Sequence, residues 1–143
     1  MNNKMFNTSN EGMGLAIFLI RVSFGIIYIL HGFPKIAGGP EQWAQIGGAM
    51  GIVGLGFAPA FWGFMASISE FGGGILLVLG LFTRPAAVLM AFTMLIAMIM
   101  HISAGDPLST VLHPLKGLVV FVSILYSGAG KYAIDKKFAK SKG

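Results

Sequence analysis

The sequence predicts an all-α protein: a transmembrane four-helix bundle with an interfacial segment between helices 1 and 2. Three observations lead there. First, the 143 residues are 55% hydrophobic and only 10% charged. Soluble domains carry about 25% charged residues, so a water-soluble fold could not cover its surface from this supply. Second, four apolar segments stand out, at Met13–Leu30, Phe61–Phe82, Pro85–Ile102 and Leu118–Tyr126, the last extended outward by Leu115–Gly117. A helical span needs about 20 residues at 1.5 Å each. Third, Arg21, Lys35, Glu70, His101 and Lys116 sit inside or beside these segments. Charge in hydrocarbon is expensive, and such groups face a bundle interior and mark a site.

The first segment is too long for a signal-peptide core, Arg21 interrupts it, and no small-residue cleavage pattern follows. It is expected to be a retained helix. Residues 38–59 are rich in glycine and carry Gln42, Trp43 and Gln45. Glycine weakens a long helix, so this stretch reads as an interfacial segment with one short helix near Glu41–Met50, folding back over the bundle mouth; a fifth span is the alternative. The domain organisation expected is a mobile segment over residues 1–12, a four-helix transmembrane domain over 13–130 and a basic tail over 131–143.

Charge placement sets the expected topology. The net charge is +5, and Lys131, Lys136, Lys137, Lys140 and Lys142 fall in the tail. Basic residues beside an apolar segment stay in the cytosol near anionic lipid. Four spans then place both termini in the cytoplasm of an integral plasma (inner) membrane protein, with Lys4, Arg84 and the tail inside and only Lys35 and Lys116 outside. Membrane lipid is the expected partner, together with redox subunits or further copies of the chain. Nucleic acid is excluded, because no basic globular face is available. The chain has no cysteine, which rules out a disulfide, a thiolate metal site or a thiol relay of its own.

Within this topology the polar residues form stripes at helical spacing. Arg21, Gly25, Tyr28 and Gly32 recur on helix 1, and Ser67, Glu70 and Gly74 on helix 2. Thr93, Ala97 and His101 share a face of helix 3, and His113, Lys116, Ser123 and Ser127 continue along helix 4. By helical rise Glu70 and Arg21 lie about 18 Å and 12 Å from the inner boundary, near enough for an ion pair. That pair either fixes helix register or makes Glu70 a proton acceptor beside a small ligand. His31, Lys35, His101, Tyr28 and Lys116 are candidates for a ligand site at the outer mouth, where a histidine hydrogen-bonds a quinone carbonyl and a lysine stabilises developing negative charge. Lys35, following Pro34, also reads as a lysine reaching from a helix end to the interface. His31, His101 and His113 with Asp106 match no compact metal motif, and no metal or haem is assigned. Met90, Met94 and Met98 read as adaptable packing.

The chain also resembles the DoxX-like membrane protein family from about Leu15 to Asp135. The resemblance rests on Arg21-Val-Ser-Phe-Gly25, His31-Gly-Phe-Pro-Lys35, Glu70-Phe-Gly-Gly-Gly-Ile-Leu-Leu-Val-Leu-Gly80-Leu-Phe-Thr-Arg84, His101 and Gly128-Ala-Gly-Lys-Tyr-Ala-Ile-Asp135. It departs at Ala133, where a serine is common. The resemblance implies a four-helix membrane fold and a tie to respiratory or stress redox chemistry, since some relatives are subunits of a thiosulfate:quinone oxidoreductase or are linked to a terminal oxidase. The functional expectation is therefore a quinone-interacting or redox-complex subunit, part of a quinone-linked oxidoreductase, with quinone as its ligand. The alternatives are a non-catalytic scaffold that recruits redox enzymes and a transporter of small solutes or metal.

Overall fold

The computed structural model describes residues 10–140. The elements are α1 (Asn10–Ala37), α2 (Gly39–Gly47), a 3-10 turn over Gly48–Val53, α3 (Pro59–Leu79), α4 (Thr83–Ala104), α5 (Leu108–Ser127) and α6 (Ile134–Lys140). α1, α3, α4 and α5 are each long and apolar enough to cross a membrane. The fold is the expected all-α four-helix transmembrane bundle with a short helical segment between its first two spans. Of the N-terminal segment expected to be mobile, residues 1–9 lie outside the described residues; Asn10–Gly12 form the first turn of α1.

The helices pair as α1 with α3 and α4 with α5, and α3 packs against α4 to join the pairs. α1 and α3 cross at glycines. A Cβ on Gly25 would lie 2.8 Å from the Gly74 carbonyl oxygen, and one on Gly74 would lie 2.7 Å from that of Gly25. Only bare backbone fits there, which brings the two helices into direct contact. On the other side of the bundle, Tyr28, Leu77, Met90, Met94, Phe121 and Ile124 form the apolar core. The Tyr28 ring packs edge-on against Phe121 at 4.8 Å, and its hydroxyl donates to Met94 Sδ at 3.0 Å. That hydroxyl occupies the notch left by Gly117.

α1 runs seven residues beyond the predicted end at Leu30, with Pro34 inside its last turn. Proline so near a helix end removes few hydrogen bonds, so the helix carries Lys35 on alongside α3. The chain then turns at Gly38–Gly39 and lays α2 against the first half of α3. A Cβ on Gly47 would sit 1.8 Å from the Pro59 carbonyl oxygen, and one on Gly63 1.7 Å from that of Trp43. The indole of Trp43 packs at a tilt against Phe64 at 4.7 Å and donates to the Lys35 carbonyl at 2.9 Å. The glycines in this segment thus serve close packing on α3.

Both ends of the described chain meet at one end of the bundle, called here the terminal end. Gly14 of α1 packs on Lys131, and Phe18 meets Tyr132 edge-on at 5.7 Å. Ala133 is buried, and the Asp135 amide donates to the Gly80 carbonyl at 2.9 Å. The segment following α5 therefore closes over the α3–α4 turn.

Candidate functional site

Arg21 and Glu70 are both buried, at 0% and 3% exposure, but they do not meet. Arg21 lies level with Leu77, seven residues along α3 from Glu70, which is about 10 Å of helical rise. The expected Arg21–Glu70 pair is thus corrected by the crossing of α1 and α3. That crossing sets Gly25 beside Gly74 and Val78, and Gly32 beside Phe71, so Arg21, further down α1, reaches the C-terminus of α3.

There Arg21 works as a backbone lock. Its Nη1 donates to the Leu77 carbonyl and, at 3.0 Å, to that of Val78. Its Nη2 donates to the Tyr132 carbonyl at 2.9 Å. The last carbonyls of a helix lack partners within it, and the helix end is electronegative; the guanidinium supplies donors and positive charge together. Gly80, at φ +68°, ends α3, and a Cβ on it would lie 2.5 Å from Arg21 Nη1. Across the same turn the Asp135 carboxylate accepts from the Phe82 and Thr83 amides at 2.8 and 3.0 Å. It caps α4, whose preceding residue Phe82 has a left-handed backbone. Partial burial pushes the Asp135 carboxyl up, but the Thr83 and Phe82 amides and the nearby Arg21 charge outweigh it and hold the group below its ordinary value.

Glu70 pairs instead with Lys35, whose Nζ donates to Oε1 at 2.8 Å and Oε2 at 2.6 Å. Lys35 is therefore a mid-bundle ion-pair partner and does not reach out to the interface. The pair forms part of the wall of a cavity of about 880 Å³ between α2 with its 3-10 turn, α3 and α4. This cavity is the candidate site. It reaches from Pro85 near the terminal end to His101 near the other. Those sixteen residues of α4 span about 24 Å, most of a bilayer's hydrocarbon thickness. Its surface is apolar except for a few groups. Lys35, Ser69, Glu70 and Thr93 cluster near mid-depth, and His101 stands at the mouth. Thr93 Oγ1 lies 3.0 Å from Ser69 Oγ. His101 Nδ1 lies 2.6 Å from Asp106 Oδ2.

Of the residues singled out from sequence, Glu70, Lys35 and His101 converge on this cavity. Arg21 belongs to the lock at the terminal end and Tyr28 to the apolar core. His31 is exposed, its Nδ1 3.0 Å from the Ile27 carbonyl. Lys116 and His113 are exposed on α5. The polar stripe expected on that helix is corrected: Pro114, Gly117, Phe121 and Ile124 face inward, because Phe121 and the Gly117 notch enclose Tyr28. Among the described residues, no three His, Asp or Glu side chains gather as a metal site would require. Ser69 was missed, although it adjoins Glu70 and lies one α-helical turn from Gly73. Trp62 and Met50, also on the wall, had no distinguishing signal in the sequence.

The family model for DoxX matches residues 16–102. The chain belongs to the DoxX family. It is 29% identical to the Escherichia coli (strain K12) protein "Inner membrane protein YqjF" over 132 residues, 88% of this chain and 94% of that one. It is 34% identical over 90 residues to the Bacillus subtilis (strain 168) protein "Putative oxidoreductase CatD", covering 63% of this chain and 62% of that one. A second E. coli protein, "Inner membrane protein YphA", is 33% identical over 95 residues, with 64% and 62% covered. No solved structure matches the chain. With four membrane-length apolar helices, this DoxX protein is an integral inner membrane protein.

Proposed function

We propose that this DoxX protein binds a quinone, or a similar apolar redox molecule, in the cavity between α2, α3 and α4. The observation that carries the reading is the position of the polar cluster. Lys35, Glu70, Ser69 and Thr93 interrupt an otherwise apolar groove at mid-depth, eight residues of α4, or about 12 Å, below His101. A phospholipid keeps its charged head at the membrane surface. A quinone carries a polar ring on an apolar tail, so its ring can sit within the hydrocarbon layer, and the length of the groove suits the tail. Binding sites of this kind are apolar clefts with a few placed polar groups.

Lys35 has three N–H donors, and the Glu70 carboxylate takes two. The third is available to a carbonyl oxygen on which negative charge develops. Glu70, bonded to Lys35 through both oxygens, holds the ammonium in place and exchanges a proton with the ligand through it. Electrons would come from a redox partner subunit, consistent with the word "oxidoreductase" in the name of the B. subtilis relative. Both termini are inferred to be cytoplasmic. Arg84, Lys131, Lys136 and Lys137 are exposed at the terminal end, against Lys116 on α5, while Lys35 is neutralised by Glu70 within the bundle.

The test is a titration of the protein in lipid nanodiscs with a short-tailed ubiquinone or menaquinone, read by tryptophan quenching, since Trp62 lines the cavity. Saturable binding is expected, weakened about tenfold or more by Glu70→Gln. No saturation, or an affinity indifferent to Glu70→Gln, rejects the reading.

A further inference from the structure

Glu70 is poorly placed to touch a ligand directly. Both its oxygens accept from Lys35, and its side chain is only 4% exposed. Its neighbour on α3 has different bonding. Ser69 points toward α4, where its hydroxyl meets that of Thr93. Thr93 Oγ1 also lies 2.9 Å from the Leu89 carbonyl, one turn back on its own helix. A hydroxyl has a single hydrogen and two lone pairs. Thr93 can therefore give its hydrogen to Leu89 or to Ser69, but not to both. When Leu89 receives it, Ser69 completes the pair by donating to Thr93. When Ser69 receives it, the Ser69 hydrogen is released and has no other acceptor among the described residues. The helical carbonyl of Leu89 already serves the main-chain ladder, so losing the Thr93 hydroxyl costs little.

We propose that the Ser69–Thr93 hydroxyl pair is a switchable hydrogen-bond donor in the cavity wall, and that it holds a carbonyl oxygen of the ligand. The inference rests on the quinone reading and deepens it, because it states which groups recognise the ring and in what form. With Lys35 on one side and the hydroxyl pair on the other, the cavity offers donors to a ligand with two separated acceptor oxygens, such as a 1,4-dicarbonyl ring. The oxidised ligand is then recognised by donation from both sides. The reduced dihydroxy form adds two hydrogens that need acceptors. The pair supplies one by turning the Thr93 hydrogen back to Leu89, which exposes a lone pair on Ser69. Lys35 is a donor in both cases, so the hydroxyl pair is the group that adapts to the ligand's form.

The experiment compares wild type with Ser69→Ala/Thr93→Val. Thr93→Val keeps the side chain's shape, Ser69→Ala removes only the hydroxyl, and both leave the Lys35–Glu70 pair intact. Each protein is titrated with a short-tailed benzoquinone, and the carbonyl stretch of ¹³C-labelled bound quinone is followed by infrared difference spectroscopy. Wild type is expected to lower the frequency of both carbonyl bands. The double variant is expected to bind about tenfold more weakly and to return one band to its position in a hydrocarbon solvent. Wild-type affinity with both bands still lowered overturns the hydroxyl assignment while leaving the quinone reading in place. Absence of saturable binding to wild type removes both. If the double variant does not fold, Ser69→Ala alone is expected to restore one band, and two lowered bands in that variant overturn the assignment equally.

Discussion

At the terminal end of the bundle, Arg21 is enclosed by backbone: the Leu77, Val78 and Tyr132 carbonyls accept from it, and Gly80 leaves it room. At mid-depth, Glu70 is almost as deeply buried, but its partner is another side chain and its neighbours open onto a cavity. Both are charges removed from lipid. The first completes the end of α3 and ties it to the turn before α6. The second sits, with Lys35, in the wall of the cavity between α3 and α4. Burial of a charge in a membrane bundle therefore does not itself mark a site. What distinguishes the two regions is whether the charge is satisfied by the chain's own backbone or stands beside unfilled space.

The largest effect should come from separating the ion pair. Lys35→Met leaves Glu70 enclosed without its counter-charge, and breaking a buried pair costs about 3–5 kcal/mol. Lys35→Met/Glu70→Gln removes both charges and should recover most of that loss, measured as thermal stability in detergent. The recovery sharpens the comparison, because it would show a pair that the fold tolerates losing whole, as a functional pair can be. A double variant no more stable than Lys35→Met would instead make the pair a structural support like Arg21.

Gly80→Ala probes the lock. Alanine must adopt φ +68° and bring a Cβ to within 2.5 Å of Arg21 Nη1, so the guanidinium has to move off its carbonyls. The expected loss is about 2–4 kcal/mol. Gly105 ends α4 with nearly the same backbone, φ +72°, and nothing within 4 Å of its position for a Cβ. Gly105→Ala should cost only the backbone term, about 1 kcal/mol. Equal losses at the two positions would mean that the lock at the terminal end adds nothing beyond turn geometry. Quinone affinity should be unchanged in the folded fraction of either variant.

Much of this difference could not be read in the sequence. The inward stripes of α1 and α3 were legible: Arg21, Gly25, Tyr28 and Gly32 are all buried, as are Ser67, Glu70 and Gly74. Periodicity reports which face of a helix turns inward. It does not report how far one helix slides along another, and that sliding decides which charges meet. The Gly25–Gly74 crossing moves Arg21 down to Leu77 and Lys35 across to Glu70. The apolar stretch ends at Leu30, but α1 continues to Ala37 with Pro34 in its last turn, which carries Lys35 alongside α3 and not out to the interface. On α5 the polar stripe through His113 and Lys116 points away from the core, and the buried phase runs through Pro114, Gly117, Phe121 and Ile124. Phe121 and Gly117 reveal the true phase only once Tyr28 is seen filling the notch between them. The cavity itself depends on α2 lying on α3, a tertiary contact made by glycines that looked from sequence like a source of flexibility.

The smallest expected effect concerns the other half of the lock, and pH separates it from the rest. The Asp135 carboxyl titrates below its ordinary value because the Thr83 and Phe82 amides and Arg21 together outweigh the cost of its partial burial. A carboxyl lowered in the folded state stabilises the fold fully above its unfolded value, about pH 4. That contribution is lost as pH falls through the lower folded value. Asp135→Ala should cost about 1 kcal/mol at neutral pH, the worth of a helix cap, and should melt with less loss of stability between pH 6 and pH 3 than wild type does. The acid sensitivity that remains in Asp135→Ala would then belong to other carboxylates. Wild type and Asp135→Ala losing the same stability over that range would separate the cap from the charge. In that case neutral hydrogen bonding would suffice to hold the α3–α4 turn, and Arg21 alone would be the charged element of the terminal end.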